Sequence, residues 1–181
     1  MMTMLASMLL LMEPPRPSPP AEELAAAIAL WDKAPSAATQ RDEAVTDALD
    51  HLTRATLDYG RVPRPASRKD GEAWIAKFDT LMASYRARLP ADRRPLDREA
   101  IACAATPMAW SLSLDELRQV DRFLATEAGA KFWSLGFGRA DALIGCYEFV
   151  LREKVVRTDE DLLSVGVKPP ERPKPSPVFF D

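Results

Sequence analysis

The residues that could carry chemistry in this 181-residue chain are few and lie far apart in the sequence. His51 is the only histidine, one helical turn after Asp47 and next to Asp50. This spacing would let a carboxylate orient the imidazole as a general base or share a metal ion with it. A metal site needs more ligands and a triad needs a nucleophile, and the sequence places neither beside His51. A solvated or ion-paired histidine is the alternative. The sequence predicts no catalytic residue, no metal site and no cofactor, and it favours a non-enzymatic protein.

Two cysteines, Cys103 and Cys146, are the only other candidates for covalent chemistry. In an oxidising compartment they could bridge two distant helices and stabilise the fold by roughly 2 to 4 kcal/mol. Two buried free thiols are the alternative, because an unpaired cysteine behaves as a small hydrophobic residue. The spacing contains no CxxC motif and no second metal-ligand cluster. We expect the two to be bridged in the mature protein.

Two further patterns look like ligand sites but lack part of the required motif. The GFG sequence at 136–138 has neither a preceding strand nor the GK[ST] or GxGxxG pattern of a phosphate loop, so close packing explains its glycines better. A basic run could dock on phosphate or on an acidic partner, although a solvated charged corner is the usual meaning of such a run. It consists of Arg86, Arg88, Arg93, Arg94 and Arg98. The net charge of -3 argues against a general nucleic-acid binder.

Helices must position all of these residues, because apolar side chains recur at spacings of three and four and no segment alternates with period two. The pattern predicts helices over 21–35, 39–59, 71–89 and 97–105, with Pro107 interrupting the fourth. We therefore expect an all-α bundle of about six helices, with a C-terminal helical hairpin and proline-rich disordered ends.

The stretch from Leu112 to Trp133 contains the densest local signals. Ser113 and Glu116 have the spacing of a capping box, and Thr126 can cap a second helix. The apolar stripe after Thr126 persists for about seven turns to Val155, which predicts one long helix. Three glycines in it each cost about 1 kcal/mol relative to alanine: Gly136, Gly138 and Gly145. A helix that accepts this cost lets another element approach closely, or kinks.

Aromatic side chains offer one candidate binding site. If the predicted helices face each other, their rings could line a pocket for small apolar ligands. The residues are Trp74, Phe78, Tyr85, Trp133 and Phe137. Packing in the core is the alternative, because an aromatic stripe at helical spacing is the usual buried face of an amphipathic helix.

The ends of the chain differ in composition from its middle. Residues 1–20 combine an apolar leader with a proline-rich spacer, residues 21–165 read as one helical domain, and 166–181 form a proline-rich tail. The apolar segment MMTMLASMLLLM is too short for a transmembrane span, which needs about 20 residues. It matches the apolar region of a signal peptide but lacks a basic residue before it. Export is the expectation. A disordered or loosely docked leader is the alternative, and it would leave the protein in the cytoplasm.

The residues around the predicted hairpin resemble the bacterial family known as domain of unknown function 2059. That family shows a polar cap, then E-L, an apolar-aromatic patch and a corner of the form S-P-x-G-x-K. The matching positions here are Ser113, Glu116, Leu117, Phe123, Thr126, Gly129 and Lys131. Leu124 replaces the usual aromatic and Glu127 replaces the proline. The resemblance covers residues 113–150 and implies an exported, helical bacterial protein with no established activity.

These observations together predict a non-enzymatic interaction module of the bacterial envelope, periplasmic or secreted, with an unknown protein partner. Nucleic acid is not expected as a partner, and the oligomeric state stays open. The alternative function is a carrier of small apolar ligands in a pocket between helices.

Overall fold

The computed structural model describes residues 17–33, 37–63, 65, 68–135 and 139–171. This part of the chain is helical and contains no strand, which confirms the all-α class. It forms eight helices rather than about six. They are α1 (Ala21–Asp32), α2 (Ala37–Tyr59), α3 (Arg68–Ala87), α4 (Arg94–Ser111), α5 (Leu114–Leu124), α6 (Glu127–Ser134), α7 (Arg139–Val155) and α8 (Thr158–Ser164).

The alanine-rich helix α4 lies at the centre of the bundle. It packs against α1 on one side and α7 on the other, and α7 packs in turn against α2. Four of its six buried residues are alanines: Ala100, Ala104, Ala105 and Ala109. Small side chains let neighbouring helices approach closely. The other helices pack around this group: α3 and α8 lie against α2, α5 lies against α1, and α6 lies against α5.

Two groups of buried apolar side chains stabilise the bundle. The larger one joins α1, α2, α4, α5 and α7 and includes Leu49, Leu96 and Leu151, each about 1% exposed or less. The smaller one consists of Leu57, Leu81 and Val165, and it attaches α3 and the end of α8 to α2. Fully burying one such leucine is worth roughly 1.5 to 3 kcal/mol.

The predicted interruption at Pro107 is wrong, because α4 continues through this proline to Ser111. A proline inside a helix removes one backbone hydrogen bond and costs about 3 kcal/mol. Buried residues on both sides of it, Ala105 and Ala109, pack into the core. The tertiary contacts of the last turn offset the local cost.

The single long helix predicted after Thr126 is also wrong, since α6 ends at Ser134 and α7 begins at Arg139. Two of the glycines that weaken the helical pattern, Gly136 and Gly138, lie between the two helices in sequence. The two helices also pack on different neighbours, α6 on α5 and α7 on α2 and α4.

The corner between α5 and α6 confirms the predicted caps. Ser113 and Glu116 form the reciprocal capping box, and the backbone N–H of Gly129 donates to Thr126 Oγ1 at 3.0 Å. Gly129 is required by close approach, since a Cβ atom there would lie 1.9 Å from the carbonyl oxygen of Phe123. Only a residue without a side chain allows the two helices to turn this tightly.

Both described ends of the chain make contacts with the bundle. The indole N–H of Trp110 donates to the carbonyl oxygen of Pro17 at 2.9 Å. Val167 packs beside Leu57, and its N–H donates to Leu162 O at 2.9 Å, so the predicted tail begins as a docked segment. The predicted leader at 1–12 lies outside the described residues. Among the described helices, none combines the length and apolar character needed to cross a bilayer.

Candidate functional site

His51 lies on the exposed surface between α2 and α7. Its side chain is 55% exposed, and its Nδ1 is 2.5 Å from a carboxylate oxygen of Glu148 on α7. A general base with a nucleophile, or a metal centre, would need more groups around it. The described residues hold no cluster of three or more side chains able to bind a metal ion. His51 therefore has the surroundings of an ion-paired surface residue.

The five candidate aromatic residues fall into separate contacts. Tyr85 is completely buried, and its hydroxyl lies 2.8 Å from Thr56 Oγ1. Trp74 and Phe78 stack on each other with ring centroids 5.3 Å apart.

The remaining two aromatic candidates come from the apolar stripe predicted after Thr126. Trp133 meets Trp31 edge to face with centroids 6.4 Å apart, on the α1 side of the bundle. Phe137 lies outside the described residues. None of the four described rings lines a described cavity, and the observed contacts are those of aromatic core packing.

Arginines of the predicted basic run are engaged by acidic groups of the chain itself. Arg88 donates to Asp161 Oδ1 at 2.7 Å, and Arg94 forms two hydrogen bonds with Asp92. Arg93 pairs with Asp42 of α2. An anionic ligand would have to compete with these carboxylates, so the geometry favours a charged surface over an anion site.

Cys103 of α4 and Cys146 of α7 are joined by a disulfide, with their Cα atoms 5.8 Å apart. The bond connects residues 43 positions apart in sequence and fastens the two central helices to each other. It closes a long loop and restricts the unfolded chain accordingly.

A groove between α2, α7 and the start of α8 is the largest described cavity, with a volume of about 390 Å³. One stripe of α2 forms its first wall, with Leu52, Ala55, Thr56 and Tyr59 at helical spacing. Arg152 belongs to the opposite wall. The groove is open to solvent, and its lining combines apolar surface with polar side chains that include Thr158 and Asp159. None of the predicted aromatic candidates contributes to it.

A buried polar network lies beneath this groove. The carboxylate of Asp161 is completely buried and accepts hydrogen bonds from Arg88 and from the backbone N–H of Arg157, the latter at 2.6 Å. Arg88 also donates to Val155 O at 2.8 Å, so one guanidinium ties α3 to the α7–α8 junction. Burial raises the pKa of the neighbouring Tyr85 hydroxyl to about 12. The network adjoins the groove through Thr56, which lines the groove and bonds to Tyr85, and it reaches solvent at Arg88, whose side chain is 32% exposed.

The α5–α6 corner exposes aromatic surface, part of which belongs to the apolar stripe predicted after Thr126. Phe123 and Phe132 are 45% and 51% exposed, and their rings meet edge to face at 6.0 Å. Leu135, just after α6, is 68% exposed. We call these three residues the corner patch. Exposed apolar side chains that adjoin one another mark interaction surfaces more often than single ones do.

Periodicity missed the corner patch for a definable reason. A helical stripe identifies one apolar face, but α6 has eight residues and only one of its sides meets α5 and, through Trp133, Trp31 of α1. Trp133 and Phe132 are adjacent in sequence, so they point in directions about 100° apart on the helix. The adjacency of two large aromatic residues was the available signal that one of them faces outward.

Comparison of the chain with protein-family models, with curated proteins and with solved structures found no match. The similarity to domain of unknown function 2059 stays a prediction that rests on the residues of the hairpin.

Proposed function

We propose that this protein is a non-enzymatic interaction module of the bacterial envelope, exported and oxidised before it acts. The corner patch carries this proposal, because it presents two aromatic rings and a leucine to solvent on a corner whose geometry is fixed by two helix caps. Aromatic side chains are enriched at the centres of protein interfaces.

The disulfide supports the cellular location in this proposal. Disulfides persist in secreted and periplasmic proteins and are rare in the cytosol of mesophiles. The bond between Cys103 and Cys146 joins the two central helices, where it is built into the core of the fold. The resemblance of the hairpin to the 2059 family agrees with export.

A photo-crosslinking experiment in living cells tests the interaction role. A photoreactive phenylalanine analogue replaces Phe132, and the matched control carries it at Ile75, a 53% exposed position on α3. We expect one discrete envelope protein to be captured from position 132 and not from position 75. Equal capture from both positions, or none from either, would contradict the proposal.

Export is tested separately by fractionation and N-terminal sequencing of the cellular protein. We expect a chain lacking its first residues, in the periplasm or the medium, with no free thiol under denaturing and non-reducing conditions. A full-length chain in the cytosol with two reactive thiols would contradict export, whatever the crosslinking result.

The groove favours a second candidate function, a carrier of small apolar ligands. The apolar side chains of Leu52 and Ala55 would suit an apolar molecule, and Arg152 could pair with one anionic group on it, in competition with Asp159 of the same groove. Anilinonaphthalene sulfonate is a suitable probe. Ala55→Trp should block its binding, whereas Ala83→Trp, at an exposed alanine of α3, should not. If both variants bind the probe like the parent chain, the groove is not its site.

A further inference from the structure

The outer face of α7 carries an exposed aromatic side chain beside an empty position. Phe149 is 70% exposed, more than any other large apolar residue described. One turn earlier, Gly145 is exposed, and a Cβ atom placed there would meet nothing within 4 Å. Glycine inside a helix costs about 1 kcal/mol relative to alanine. No contact within the described chain explains why α7 accepts this cost.

A knob and a hole one turn apart on one helix are self-complementary. Gly145 and Phe149 lie about 6 Å apart along the helix axis. If a second α7 lies antiparallel across the first, the ring of each Phe149 enters the space over the other's Gly145. Two-fold symmetry then produces both contacts at once, as isologous interfaces require.

The rest of this face has the same symmetry. Gly145 and Phe149 lie two residues on either side of Tyr147, while Ala142 and Arg152 lie five residues on either side of it. In the antiparallel arrangement the small Ala142 therefore lies opposite the long Arg152 of the second copy, so the surfaces match in size.

The charged residues of this face are also complementary between the two copies. Asp141 and Arg152 are exposed, and neither forms an ion pair within the described residues. They lie three turns apart on the same flank of α7. A two-fold axis perpendicular to the helix brings Asp141 of each copy next to Arg152 of the other. Each interface thus gains two ion pairs on that flank, where Glu148 of each copy is already paired with His51 of its own chain.

We propose that this face of α7, formed by Asp141, Ala142, Gly145, Phe149 and Arg152, is the interface of an antiparallel homodimer. A partner of different sequence would need no symmetry of shape and charge about Tyr147, whereas a second copy of this chain does. This interface requires neither export nor the corner patch, which lies on other helices.

The dimer should be reversible. One helix face is smaller than the roughly 800 Å² per partner of a stable complex, so we expect a dissociation constant on the order of micromolar. Sedimentation equilibrium of the purified, oxidised chain measures it. Phe149→Ala should raise the constant at least tenfold. Leu163→Ala, at a 62% exposed leucine of α8, is the matched control and should change it less than twofold.

A charge exchange identifies the geometry of the interface. Asp141→Arg and Arg152→Asp should each weaken self-association, because like charges then meet twice. An equimolar mixture of the two variants should associate again, as heterodimers, because every cross-pair is then of opposite charge. The double variant should likewise recover the parent constant. A chain that is monomeric up to millimolar concentration, or variants that the mixture does not rescue, would overturn the proposal.

Discussion

Asp161 is the only charged side chain that the described residues bury completely. Both of its oxygens are occupied, one by the Arg88 guanidinium and the other by the Arg157 N–H. A buried carboxylate is tolerated only when its hydrogen bonds compensate for the lost hydration. Its position therefore depends on residues from α3 and from the α7–α8 junction.

Replacing Asp161 with alanine should destabilise the fold by about 2 to 3 kcal/mol. This is below the roughly 3 to 5 kcal/mol for breaking a fully buried pair, because the Arg88 side chain keeps 32% exposure and can reach water. Urea unfolding gives the change. Asp50→Ala is the control: it removes the surface ion pair with Arg54 and should cost less than about 1 kcal/mol. Equal losses in the two variants would contradict the assigned role.

Stability should fall at high pH because of Tyr85. Burial raises the pKa of its hydroxyl from 10.0 to about 12, so the folded state disfavours the tyrosinate form. The stabilisation is complete below pH 10 and is lost as the pH rises toward 12, a total of roughly 3 kcal/mol. Urea midpoints measured across this range should decline, and Tyr85→Phe should reduce the decline. Burial also raises the pKa of Tyr147, so part of the slope should remain.

At the scale of single elements, the α5–α6 corner is the part most fully specified by its own sequence. Its caps connect residues three apart, and such hydrogen bonds form wherever the local chain is helical. The exposure of Phe123 and Phe132 is not specified locally, because it depends on which side of the corner meets α1.

Replacing either of two glycines with alanine should change the stability of the fold, in opposite directions for the two. Gly129→Ala places a Cβ against the backbone of Phe123 and should cost at least about 2 kcal/mol. Gly145→Ala meets open space in a helix and should raise stability by up to about 1 kcal/mol. Thermal unfolding at concentrations that keep the chain monomeric checks both. A destabilised Gly145 variant would show that the monomer itself uses this glycine.

Sequence patterns recovered most helices but misjudged two junctions. Periodicity and proline positions placed α1, α2 and α3 within a few residues of their observed ends, since each has a continuous apolar face. The two wrong predictions, a break at Pro107 and a continuous helix across the glycines at 136 and 138, have opposite causes. Local propensity predicted a break where packing of α4 overrides it, and a periodic stripe predicted continuity between helices that pack on different neighbours.

At the scale of the whole molecule, the disulfide connects the two halves of the bundle. Removing it through Cys103→Ser and Cys146→Ser together should lower the free energy of unfolding by roughly 2 to 4 kcal/mol, because the unfolded chain regains the freedom of a long loop. Helix content by circular dichroism should not change, since the apolar core stays intact. An unchanged urea midpoint would show that the bridge adds nothing to the stability of the oxidised protein.

The candidate surfaces were the part least accessible from the sequence. The groove combines α2 with α7 and α8, and His51 meets Glu148 across 97 positions of sequence. The aromatic pocket was expected because five large rings occur at helical spacing, yet the described rings pack against different neighbours. Spacing within one helix predicts which side chains share a face, and it carries no information about what that face meets.

The sequence by itself determined the helical class and the caps at Ser113 and Thr126. These features depend on contacts within a few residues, whose geometry the peptide backbone sets. Only the tertiary structure decided that Cys103 lies beside Cys146, that Asp161 is buried, and that Gly145 and Phe149 are left facing solvent. Those outcomes depend on which faces of the eight described helices pack against one another, and the sequence of a single segment does not specify this.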